Sequence, residues 1–109
     1  FVAHPDGYAY ADDLFSLNFP KEYKGADRLR IRTFVNQIGQ IPIPVAQGLG
    51  YTILPKSGVD AFAGKQDLAT IQLPKQRHHD LWIISRKGRS EIARVAALSN
   101  LIGRAAQLL

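Results

Sequence analysis

The chain has 109 residues, of which 46% are hydrophobic, with 9 Gly, 6 Pro and neither Cys nor Met. That length and polarity fit one ordinary domain able to bury a core, and they exclude a disordered chain, a disulfide scaffold and any thiolate chemistry. No uncharged apolar run approaches the ~18 residues of a membrane span, and no basic region precedes an apolar one as in a signal peptide. Since the first residue is Phe1 and Met is absent, the sequence reads as part of a longer protein.

The net charge of +5 is unevenly placed. Residues 1–74 balance seven basic against seven acidic side chains, whereas residues 75–109 set seven basic ones against Asp80 and Glu91. Such asymmetry points either to an anionic partner or to two segments of different structural allegiance.

In chain order, Phe1–Ala3 is a short apolar run halted by the turn-rich His4-Pro5-Asp6-Gly7. Asp6 stands where a helix N-cap belongs, and Ala9, Ala11, Leu14, Phe15, Leu17 and Phe19 carry a helix towards Pro20. Alternation over Arg28–Val35 predicts a strand with Arg28, Arg30 and Arg32 on one face and Leu29 and Ile31 on the other. Those cations are read as a solvated face or as partners of Asp12, Asp13 or Glu22, since no aromatic residues interleave as in a nucleic-acid stripe.

Asn36 follows as a second N-cap candidate, opening an apolar stripe through Ile38, Ile41, Val45 and Leu49. Pro42 and Pro44 allow that helix only if they fall in its first turns. Strands are predicted over Tyr51–Leu54, Leu68–Leu73 and Leu81–Ile84, with a brief helical turn over Gly58–Phe62. Ser90 opens the longest helix, with Ile92, Val95, Leu98, Ile102, Ala105 and Leu109 on one side. Strands separated by helices imply right-handed crossovers, hence an α/β fold with a mostly parallel sheet.

Catalytic and metal constellations are thin. His78 and Asp80 share a face of an extended segment, but two ligands do not make a metal site. The serines lack a nucleophile-elbow context, and two Glu leave little choice of acid–base pair. Gln47-Gly48-Leu49-Gly50 precedes a strand instead of following one, which excludes a dinucleotide fingerprint. The expectation is therefore no enzyme, no cofactor and no metal. Two strand-to-helix junctions stand out instead: His4-Pro5-Asp6-Gly7 and Phe34-Val35-Asn36-Gln37. In a parallel sheet both fall outside the carboxyl ends of the strands, where such sheets bind ligands, and each is followed by a helix N-terminus suited to an anion.

The segment Pro44-Val45-Ala46-Gln47-Gly48-Leu49-Gly50-Tyr51-Thr52-Ile53-Leu54-Pro55 resembles the V-a-x-G-x-G-x-x-x-L-P stretch in the effector-binding region of LysR-type transcriptional regulators. His4–Gly7, Phe34–Ile38 and Leu81–Lys87 with its following amphipathic helix resemble other segments of that family, in the same order. The resemblance implies a three-layer αβα, type-II periplasmic-binding-protein-like subdomain that is incomplete by itself. Residues 1–74 would form the second effector-binding subdomain, and residues 75–109 the returning strand and C-terminal helix of the first. It further implies a cytoplasmic, homo-oligomeric regulator sensing an anionic or polar small molecule against His4, Pro5, Asp6, Gly7, Phe34, Asn36 and Gln37. DNA contact would come only through a winged helix-turn-helix outside this sequence, and the membrane plays no part. A fragment of a solute-binding protein or enzyme of the same architecture is the alternative.

Overall fold

The computed structural model describes residues 1–108, so the expected place of Leu109 on the last helix lies outside the described residues. Two compact units divide the chain, residues 1–77 and residues 78–109.

In the first unit, strand β1 (Val2–Ala3) pairs in parallel with β2 (Thr33–Phe34), Val2 opposite Thr33 and Ala3 opposite Phe34. Bonding extends beyond the strands on both sides: Phe1 N donates to Arg30 O at 2.6 Å, Arg32 N to Phe1 O at 2.8 Å and Val35 N to Ala3 O at 2.9 Å. The small core centres on β1, where Phe1, Val2, Ala3 and His4 are all buried, together with Ala11, Ala26 and Ile41. Parallel β1 and β2 joined through a helix give the α/β character expected from the sequence.

Helix α1 (Gly7–Asn18) occupies the predicted span and buries Gly7 and Ala11, four residues apart on one side. Asp6 precedes it without a side-chain capping bond. An aromatic cluster covers this region: Phe1 lies 6.4 Å from Tyr8 and 5.5 Å from Tyr51, and Phe15 lies 5.5 Å from Tyr23, 5.9 Å from Phe19 and 6.4 Å from Tyr51. At the helix C-terminus, Asn18 Nδ2 donates to Lys75 O at 2.8 Å while its Oδ1 accepts from Lys75 N at 3.0 Å.

Several sequence expectations are corrected. Arg28–Arg32 is no strand: Gly25 turns the chain at φ 111° into a 3₁₀ turn over Ala26–Arg28, whose first amide donates to Asp12 Oδ1 at 3.0 Å. Arg28 pairs with its neighbour Asp27 at 3.4 Å, not with Asp12, Asp13 or Glu22, and both partners are exposed. The long helix after Asn36 is two pieces, a 3₁₀ turn over Ile38–Gln40 and α2 (Pro42–Ala46). Proline supplies no N–H, so α2 starts at Pro42, where none is needed. Gln37, not Asn36, immediately precedes the 3₁₀ turn, without a side-chain cap.

Residues 51–54 run beside β1 without strand geometry, and α3 (Lys56–Asp60) follows Pro55. Residues 68–73 form no strand, and Ile71 is exposed. In the second unit, Leu81–Ile84 is also not a strand, Trp82 being 81% and Ile84 91% exposed. A β-prone run becomes a strand only beside another backbone that completes its hydrogen bonds. Helix α4 (Ala93–Ala106) is the longest, as expected, but starts after Ile92, three residues beyond Ser90. Val95 is half-buried on it, while Leu98 and Ile102 are exposed.

Candidate functional site

β1 ends at Ala3, and His4–Gly7 turns the chain directly into α1 through a Gly7 N to His4 O bond of 2.9 Å. Tyr10 N then donates to Asp6 O at 3.0 Å, so the helical bonding starts from Asp6. The amides of the first turn present the positive end of the helix beside Pro5 and Asp6, both exposed. β2 ends at Phe34, which is 55% exposed and followed by exposed Asn36 and Gln37. Because Ala3 faces Phe34 across a parallel pair and Val35 is bonded to Ala3, the two junctions leave the same end of the sheet side by side.

His4 and Gly7 are placed differently from the other five residues. His4 is only 2% exposed, and its Nε2 lies 2.9 Å from Ile53 O. A carbonyl only accepts, so Nε2 carries the proton of that ring. Tyr10 stacks obliquely at 5.9 Å from the imidazole. Gly7 is buried because a Cβ there would lie 2.9 Å from His4 Cδ2 and 3.2 Å from Phe1 Cζ. Pro5, Asp6, Phe34, Asn36 and Gln37 thus form the outward surface of the paired junctions, with His4 and Gly7 behind it.

Two residues that sequence reasoning missed complete this arrangement. Thr52 Oγ1 donates to Val2 O at 2.9 Å, and Ile53 supplies the carbonyl that holds His4. The aromatic and β-branched run Tyr51–Leu54 gave a signal for proximity to the sheet, but none for bonding through side chains.

A surface hollow of about 660 Å³ lies elsewhere in the unit, lined by Glu22, Tyr23, Lys24, Gly25, Arg28 and Leu29. Its cations are already engaged, Lys24 with Lys21 O at 2.7 Å and Arg28 with Asp27. Burial and the hydrogen bond to Asp12 (2.8 Å) raise the Tyr23 phenol above its usual range. Among the described residues, no group of three or more His, Asp and Glu is placed to hold a metal ion, and no helix is long and apolar enough to cross a membrane.

Comparison with known proteins gives one family. The family profile described as LysR substrate binding domain matches residues 5–107. No curated protein and no solved structure matches the chain. With nearly its whole length covered, the chain belongs to the LysR substrate binding domain family, the effector-binding part of LysR-type transcriptional regulators.

Proposed function

We propose that this chain senses a small anionic or polar effector at the paired junctions, within a regulator that binds DNA through a separate winged helix-turn-helix. The carrying observation is the side-by-side departure of the two junctions from one end of a parallel pair, within a chain of this family. Pro5, Asp6, Phe34, Asn36 and Gln37 offer the contact surface: amide donors and acceptors, one ring and the positive end of α1. His4 and Gly7 hold the turn in place behind them. Binding and release suffice for this role, and no covalent step is required.

Within the family's architecture, residues 1–74 serve as the second subdomain of a three-layer, type-II periplasmic-binding-protein-like fold. Residues 75–109 return to the first subdomain, and the effector lies in the cleft between the subdomains. Closure around the effector shifts the population of two arrangements of a homo-oligomer and thereby of its DNA-binding heads, in the cytoplasm. The test begins with a thermal-shift screen of small carboxylates and polar metabolites against the full-length regulator. Calorimetry with a stabilising compound then compares wild type with Asn36→Ala. The expected outcome is at least tenfold weaker binding, about 1.4 kcal/mol. Unchanged affinity in Asn36→Ala and in Gln37→Ala would remove the site from these junctions.

A further inference from the structure

Residues 51–54 occupy the position of a third strand, on the side of β1 away from β2, yet most of their attachment is made by side chains. One bond is backbone to backbone, Val2 N to Tyr51 O at 2.8 Å. The Val2 carbonyl receives the Thr52 hydroxyl at 2.9 Å. Beyond it, the Ile53 carbonyl receives the His4 ring at 2.9 Å. A parallel ladder would use backbone N–H groups throughout. On the β2 side it does: Arg32 N reaches Phe1 O and Val35 N reaches Ala3 O.

The segment also has defined ends. Gly48, at φ 81°, adopts a backbone conformation that favours glycine, and Pro55 closes the stretch before α3. Its bonding partners Val2 and His4 are both essentially sealed from solvent, and the Tyr51 ring lies against Phe1 and Phe15. His4 belongs at once to this attachment and to the turn that starts α1.

We infer that residues 51–54 are a strap latched onto β1 by the Thr52 hydroxyl and the His4 imidazole, and that its seating sets the position of the His4–Gly7 turn. Two side-chain bonds lack the cooperative backing of a continuous ladder, so the strap opens while β1 and β2 stay paired. His4 is then a positioning residue: it acts on the turn through its bond to Ile53 and need not touch a ligand. The role in effector sensing rests on the proposed function, but the strap itself is tested without any effector.

The test uses nuclear magnetic resonance on the whole chain, following hydrogen exchange at the His4 ring N–H and at the Gly7 and Val35 amides. Wild type should show the Nε2–H form of His4. Thr52→Val keeps the shape of the side chain and removes its donor. In that variant, exchange at the His4 ring and at Gly7 should rise at least tenfold, while Val35 changes less than twofold. Thr52→Ser, which restores a hydroxyl, should bring both fast sites back towards wild type. A proportional rise at Val35 would make the segment part of one cooperative sheet and overturn the strap. An unmoved Gly7 amide would overturn its link to the turn, as would a His4 proton on Nδ1. Failure of effector binding in Asn36→Ala would leave these exchange results untouched, so the two readings fall separately.

Discussion

Gly7 and Gly39 are both glycines of the first unit, and what surrounds them separates two uses of the residue. At Gly7 an added Cβ would meet His4 Nε2 at 3.0 Å and the Phe1 ring at 3.2 Å, whereas at Gly39 nothing lies within 4 Å. Gly7→Ala gains helix propensity but must displace a buried imidazole and a buried ring. The expected result is a net loss of about 1–3 kcal/mol in chemical denaturation, the usual range for overpacking. Gly39→Ala should stay within about 0.5 kcal/mol of wild type, as surface substitutions do. Equal stability of the two variants would show that β1 and α1 do not approach as closely as described. The same crowding places His4 and Phe1 directly against the Gly7 backbone. At this strand-to-helix turn the space beside the glycine is filled by the protein's own histidine.

The connection from α1 to β2 shows how one side chain can organise an element. Asp12 Oδ1 accepts both the Tyr23 hydroxyl and the Ala26 amide, tying the loop and its 3₁₀ turn to the helix. Tyr23 is held neutral by burial first and by this carboxylate second, so its folded-state pKa lies above the ordinary value of 10.0. The stability that follows is complete below the ordinary value and is lost as pH rises from there towards the folded-state pKa, because the unfolded chain ionises first. Urea denaturation at a series of alkaline pH values should therefore show a shallower decline for Tyr23→Phe than for wild type. Parallel declines would mean that the phenol is not held by Asp12. This loop also marks the boundary of what the sequence discloses. Helices α1 and α4 were legible because their apolar spacing is local, and Pro42 announced the start of α2 by its missing donor. The strands expected over 28–32, 51–54, 68–73 and 81–84 do not form: Gly25 turns the first into a 3₁₀ start, and the others lack the continuous backbone ladder that no window of sequence contains. Asn36 and Gln37 follow β2, as the alternation up to Val35 indicates, although Asn36 caps no helix. The latch between His4, Thr52 and Ile53 was invisible, since it joins residues about 50 positions apart through side chains.

For the whole molecule, the informative contrast is between a first unit with a buried β1 and a second in which most large apolar residues are exposed. Trp82 is the single tryptophan, and it sits with Leu81 and Ile84 among the exposed large apolar residues of the described chain. Exposed apolar surface of this kind favours association. The chain is expected to self-associate, with Trp82 emission at solvent-like wavelengths in dilute solution and a blue shift as concentration rises. Ile84→Ser combined with Leu98→Ser should abolish that shift and leave light scattering at the monomer mass. A concentration-independent spectrum in wild type, with a monomer mass throughout, would remove the expectation.

The Asn18 carboxamide has a mechanical consequence. It holds the backbone of Lys75 by both its N–H and its carbonyl, receiving one hydrogen bond and giving the other, at the end of α1 opposite the His4–Gly7 turn. The strand of chain about to leave the first unit is thereby moored to the far end of a rod about 18 Å long, the rise of twelve helical residues. A tilt of roughly 5° at the near end of such a rod carries the mooring about 1.5 Å. One rigid helix thus connects the turn to the place where the chain sets out towards residue 78.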